Sequence, residues 1–335
     1  MLYSYINHKV YYPYLDLLKF VCCIGIVVIH TQPHSDLPEW EGEIVEKIIS
    51  LPVPIFFMLS SYLFAGKIRF ATGDGIHIKK FVKRLLILYL LWTVLLVWSW
   101  LPPFVNTFSD DWLTYLPLRF ICGAPLGSWF IVSLIYGMLV VYACNRWLGK
   151  CITTFLFVGI ELYFRIVQGG LLPDTLGIDY KGEIFSTALS PLVALAPIQI
   201  GLLLRLVRQN FLIERILRIK FILILTLLTI YVLMGSYSFC VALLVQAVII
   251  LCCAVGYDSR HPYSGYDYSM LRKMSIIVYF THFVICQLFN YMGVRGYIDY
   301  TMGFPVFVTA LVFCCAVSYV IVLCSERYNW MKYLY

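Results

Sequence analysis

Asp16, Lys19 and His30 interrupt an otherwise apolar run that begins at Tyr14, and their spacing is the first sign of chemistry in the chain. Eleven residues separate Lys19 from His30. At about 100° and 1.5 Å per residue this is three turns plus about 20°, with a rise of about 16 Å, so both project from one helix face. Asp16 lies within about 40° of the same direction, one turn before Lys19, where the opposite charges can neutralise one another. Placing such side chains near the bilayer centre costs about 2.5–3.5 kcal/mol each, so the stripe should line a cavity between helices. The plainer reading of the same residues keeps Asp16 and Lys19 paired at the inner membrane boundary, with His30 capping the outer end before Thr31, Gln32 and Pro33. Imidazole titrates near neutrality, which makes His30 the natural proton acceptor of the stripe, either as a base or as a relay. No metal site is read on His30 and His34, because Pro33 breaks the helix that would align them.

Composition determines the elements that must hold this stripe. Of 335 residues, 61% are hydrophobic and only 13% charged, too little polar surface to cover a water-soluble core. Aromatic residues make up 17%, with Trp and Tyr available for the headgroup region. These figures exclude an ordinary soluble enzyme, a disordered chain, a disulfide scaffold and a nucleic-acid-binding domain. A bilayer core of about 30 Å takes roughly 20 helical residues. Ten apolar runs of suitable length occur, at 14–31, 44–66, 81–101, 126–145, 151–168, 184–208, 219–234, 239–257, 274–293 and 303–324. The expected fold is therefore all-α, a polytopic membrane helix bundle of about ten transmembrane helices, forming a single integral-membrane domain over residues 1–335. Met1 to Pro13 is tyrosine-rich and leads directly into the first run, so no cleaved signal is expected.

Charge gives the expected orientation. Nineteen of the 25 Lys and Arg residues fall in one set of alternating segments, whereas the other set carries an acidic series including Asp36, Glu39, Glu41, Glu43 and Glu46. The positive-inside rule then places both termini in the cytoplasm, and the net charge of +7 reads as a topology signal, not as the mark of an anionic partner. The twelve cysteines lie mostly within the apolar runs, where they behave as small hydrophobes, and no CxxC or Cys/His metal spacing occurs. Glu161 and Arg165 stand one helical turn apart in the fifth run and can pair, as a buried structural ion pair or as part of a substrate surface.

Several segments, taken in order, resemble the integral-membrane acyltransferase 3 family, which includes O-acetyltransferases of cell-surface polysaccharides. The first-helix basic residue, ten intervening residues and a histidine appear as Lys19 to His30, and Asp16 fits the leader of that motif. Pro54-Ile55-Phe56-Phe57-Met58-Leu59-Ser60-Ser61-Tyr62-Leu63 is similar to the family's second-helix segment. Lys79-Lys80-Phe81-Val82-Lys83-Arg84 is similar to its basic stretch before the third helix. Gly127-Ser128-Trp129-Phe130 and Ser275 to His282, with Tyr279 between, match later segments. Three positions depart from the pattern: Lys19 replaces a commoner Arg and gives a point charge instead of a fork, Ser61 stands where Gly is favoured, and Phe283 stands where Pro often follows the late histidine.

The resemblance implies an acyl-CoA-dependent O-acyltransferase, with acetyl-CoA as the commonest donor, no metal, and a carbohydrate hydroxyl as acceptor. It implies an integral membrane protein among membrane lipids, in a bacterial inner or plasma membrane. His30 would be the general base, and Lys19 would attract or position the anionic part of the donor, or organise the tunnel with Asp16. Lys79, Lys80, Lys83 and Arg84 would bind CoA phosphates, although positive-inside anchoring also predicts bases there. Trp129 would lie along the donor path, and Glu161, Arg165, Tyr279 and His282 would serve the substrate side or pack between helices. No GxSxG elbow supplies a serine nucleophile, so direct transfer is favoured over an acyl-enzyme. A secondary transporter or exporter using His30 as a proton relay fits the helices and the stripe equally well. A noncatalytic membrane sensor would bind ligand without turnover.

Overall fold

The computed structural model describes residues 12–68, 70, 72–108, 112–123, 127–168, 183–207, 239–260 and 267–335. Among them are α1 (Pro13–Thr31), α2 (Glu39–Ile49), α3 (Pro52–Ala65), α4 (Gly75–Leu95), α5 (Val97–Phe108), α6 (Trp112–Cys122) and α7 (Trp129–Trp147). They are followed by α8 (Lys150–Gln168), α9 (Glu183–Val207), α10 (Phe239–Arg260), α11 (Ser269–Val294) and α12 (Phe304–Arg327). No strand occurs among the described residues, so the all-helical expectation holds. Among the described residues, five segments are long and apolar enough to cross a membrane: α1, the α2–α3 stretch Glu39–Ala65, α7, α11 and α12. The run expected at 219–234 lies outside the described residues.

The differences from the expected runs have local causes. The run at 44–66 is two helices interrupted at Ser50 and Leu51, because Pro52 and Pro54 have no N–H and remove two rungs of the i→i−4 ladder. The run at 81–101 begins earlier, at Gly75, and gives way to α5 after Leu96. Its basic stretch is therefore the first half of a helix, not a loop before one. An apolar run marks where lipid could begin, whereas a helix of Lys and Arg continues past that boundary. α6 was not anticipated; its Pro117 and flanking acids obscure the pattern.

α1 lies at the centre. Pro13 starts it with a preset φ, Asp16 occupies its first turn, and Gln32 ends it in the left-handed region at φ 46°, donating its N–H to Val28 O at 2.9 Å. One side of α1 packs Leu15 and Cys22 with Ile55 and Leu59 of α3 and Leu243 and Leu251 of α10. Another packs Cys23 and Val27 with Val278 and Ile285 of α11 and Ala310 and Cys314 of α12. Contacts between α1 and α11 ascend together, from Asp16 with Arg272, through Cys23 with Ser275, to His30 with His282. The two helices therefore run parallel. α12 returns antiparallel, its start tied to the end of α1 by Gly303 N–H donating to Thr31 O at 2.7 Å.

α3, α7, α8 and α9 form the flanking group. Gly201 of α9 sits so close to α3 that an added Cβ would collide with the Met58 carbonyl and the Ser61 hydroxyl. Nearby, Gln199 of α9 hydrogen-bonds Asn145 of α7 and Thr154 of α8, at 2.6 Å from Asn145 Nδ2 to Gln199 Oε1 and 2.9 Å from Gln199 Nε2 to Thr154 Oγ1. This buried polar contact fixes three apolar helices in register. α12 leaves Val308, Val312, Phe313, Val320 and Leu323 exposed on its outer side, a surface suited to lipid.

Candidate active site

At its terminal turn, α1 presents His30 to α11. The imidazole meets that of His282 with ring centroids 5.2 Å apart and planes inclined at 39°. Phe283 lies 4.5 Å from the His30 ring and 4.3 Å from the His282 ring, wedged against both. Its other face meets the chain entering α7: Gly127 has φ +59°, and a Cβ there would run into the Phe283 ring. Gly is needed at this position for both reasons, the left-handed backbone and the close approach. Tyr279 completes the clamp by donating its hydroxyl to Gly127 O at 2.9 Å, and Phe130 rests against the Tyr279 ring at 6.1 Å.

The His282 side chain is fully buried. Its Nδ1 lies 3.2 Å from Val278 O, one turn back on the same helix. A carbonyl oxygen only accepts, so Nδ1 carries the proton and Nε2 is left as a bare acceptor. That Nε2 is buried and meets no hydrogen-bond donor among the described residues. Around the end of α1, Thr31 Oγ1 donates to Val27 O at 2.8 Å, and Cys286 Sγ approaches the His30 backbone O at 3.9 Å.

The opposite end of the stripe is charged. Asp16, 3% exposed, forms its ion pair with Arg272 of α11, Nη1 to Oδ2 at 3.2 Å. The attraction to Lys19 read from the sequence is thus joined by an ion pair across helices, with Lys19 and Arg272 both acting on the Asp16 carboxylate. The i, i+3 rule finds neighbours on the same helix and is blind to Arg272, 256 residues away, whose parallel helix brings it alongside. Arg84 joins the group electrostatically, acting on Lys19, while Arg272 acts on Arg84. Lys79, Lys80, Lys83 and Arg84 are all exposed along α4. Of the basic stretch, Arg84 is the member whose charge acts on the stripe.

The remaining expected residues are dispersed. Trp129 packs against Phe57 of α3, with ring centroids 6.4 Å apart, while the adjacent Phe130 meets Tyr279. Glu161 is buried on α8. The Arg165 side chain lies outside the described residues, and with it the proposed Glu161–Arg165 pair. Arg205 of α9, counted in the sequence only as a cytoplasmic base, lies between two phenols instead. It donates from Nη1 to Tyr12 Oη at 2.7 Å and to Tyr62 Oη at 3.3 Å, and its guanidinium faces both rings.

This arrangement separates two kinds of chemistry along α1. A pair of imidazoles under an aromatic lid can hold and move a proton at one end. At the other, the bases Lys19, Arg84 and Arg272 outnumber the carboxylates of Asp16 and Asp267, which leaves cationic charge suited to an anion. In comparisons with known proteins, the sequence model described as an acyltransferase domain, that of the acyltransferase 3 family, matches residues 12–323. No curated protein and no solved structure matches.

Proposed function

The chain belongs to the acyltransferase 3 family and is an integral-membrane acyltransferase; from that premise we propose that it moves an acyl group, acetyl foremost, from acyl-CoA to a carbohydrate hydroxyl. The donor approaches from the cytoplasmic side, and the acceptor is a cell-surface or lipid-linked carbohydrate. The observation supporting this reading is the division of α1 into a cationic end and an imidazole end, with Lys19 and His30 about 16 Å apart along the axis. Such a division suits a donor whose phosphates stay with Lys19, Arg84 and Arg272 while an extended thioester arm reaches the histidines. Lys79, Lys80 and Lys83 extend the positive surface by which the nucleotide part is gathered, and Trp129 lines the donor's approach.

In the proposed reaction, His30 accepts the proton of the acceptor hydroxyl as that oxygen attacks the thioester carbonyl. The C–O bond forms, the C–S bond breaks, and the departing thiolate takes the proton back to leave as free CoA. Tyr279, His282, Glu161 and Arg165 belong to the acceptor side. The same reading places ten spans in the membrane with both termini cytoplasmic, in a bacterial inner or plasma membrane, so that only the acyl group crosses.

The test is acceptor-dependent release of CoA from labelled acetyl-CoA by purified protein in detergent, where vectorial transport has no meaning. His30→Ala should keep donor affinity and lose transfer by at least about 100-fold. Donor binding without any transfer to surface glycans, or undiminished transfer in His30→Ala, refutes the assignment.

A further inference from the structure

On the acceptor side, the buried His282 Nε2 is an atom to which the reaction above gives no step. It is an acceptor by elimination, because Nδ1 gives its proton to Val278 O at 3.2 Å. A buried acceptor without a donor costs about 1–3 kcal/mol. The most direct donor is the neighbouring ring. Two imidazoles joined by one N–H···N bond of about 3 Å have centres about 5 Å apart, and the His30 and His282 centroids are 5.2 Å apart. The tilted rings make no such bond in the resting protein. Hydrogen bonds of this kind are often incomplete before substrate is present and tighten in the reactive complex.

We infer that His282 is the positioning residue for His30: its bare Nε2 accepts the His30 N–H, fixes the His30 tautomer, and steadies the imidazolium formed when the acceptor hydroxyl gives up its proton. The inference rests on the acyl-transfer reading and adds to it a neutral acceptor in the place that a carboxylate fills in a Ser-His-Asp triad. The proton passes from hydroxyl oxygen to His30 and then to the leaving thiolate, while His282 keeps its own Nδ1 proton throughout. A neutral partner suits this site, since an unpaired carboxylate in so dry a setting would itself need a counterion. Among the described residues, titratable groups beside the two rings include Tyr279, whose ring lies 6.1 Å from that of His282, and Cys286, whose Sγ lies 3.9 Å from His30 O. Phe283 contributes by packing against both rings.

The test compares His282→Phe, His282→Gln and His30→Ala in the full-length protein, with donor affinity and detergent-solubilised stability measured beside turnover. Phe keeps a flat ring and removes the acceptor; Gln restores an acceptor oxygen at the reach of Nε2. The expected result is a kcat loss of about 100-fold in His282→Phe with KM for acetyl-CoA unchanged, and recovery to within about tenfold of wild type in His282→Gln. In protein labelled with 15N at histidine, the His282 signal, identified by its loss in the variants, should show the Nδ1–H tautomer. Wild-type kcat in His282→Phe while His30→Ala is inactive overturns the inference and leaves the acyl-transfer reading standing. A signal carrying its proton on Nε2 overturns it independently of activity. Equal loss in His282→Phe and His282→Gln, with both folded and binding donor, rejects the acceptor role. A wild type that releases no CoA refutes the underlying reading instead.

Discussion

Replacing Gly127 by Ala tests whether the aromatic lid over the two imidazoles is held in place by the chain entering α7. Two separable costs arise. The backbone at φ +59° is left-handed, which penalises any residue with a Cβ by about 1–2 kcal/mol. The Cβ itself enters the Phe283 ring, and overpacking of this kind costs typically about 1–3 kcal/mol. Together these predict a destabilisation of about 2–5 kcal/mol in detergent-solubilised protein, read by chemical or thermal unfolding. In a Phe283→Leu background the ring is gone, so the same substitution should cost only the backbone part, about 1–2 kcal/mol. Turnover follows the ring as well: Phe283 touches both His30 and His282, so displacing it disturbs their mutual setting before the protein unfolds. If Gly127→Ala costs less than about 0.5 kcal/mol, or costs the same in both backgrounds, the packing argument fails.

Two further predictions concern the opposite end of α1 and the inner surface. Arg272→Met should remove the cross-helix partner of the buried Asp16 carboxylate, leaving Lys19 to act on it, and destabilise the fold by about 1–3 kcal/mol, and adding Asp16→Asn should recover most of it; additive losses in the double-mutant cycle would deny the pair. Replacing Lys79, Lys80, Lys83 and Arg84 together by Gln should weaken acyl-CoA binding, with a smaller salt dependence than wild type, as measured by calorimetry at two ionic strengths. Unchanged affinity would remove the basic stretch from the donor site.

The sequence revealed the kind of fold because lipid imposes its demands residue by residue: apolar runs, few charges, bases clustered between them. It also marked His30 and His282, each through its own local segment. Their meeting was not legible, since helical periodicity says which face a side chain takes and nothing about the helix that will lie against it. Arg272 was hidden for the same reason, appearing in the sequence as one more cytoplasmic base. Helix limits were misjudged where apolar composition and helical conformation part company, at Gly75 before the basic stretch and at Pro52, where lost donors divide an apolar run. The bare Nε2 of His282 depends on one carbonyl 3.2 Å away, a relation that residue types alone do not encode.

The parallel pairing of α1 with α11 has a consequence for biogenesis. The first helix leaves the ribosome with its ionisable stripe, and the helix that answers it is synthesised about 250 residues later, on the order of 10–50 s at about 5–20 residues per second. Throughout that interval Asp16 and His30 need interim company, from the insertion machinery, from water held beside it, or from earlier helices. The imidazole pair is therefore among the last parts of the molecule to be assembled, and a ribosome halted before α11 leaves α1 with α3 and α10 beside it but without the helix that answers its stripe.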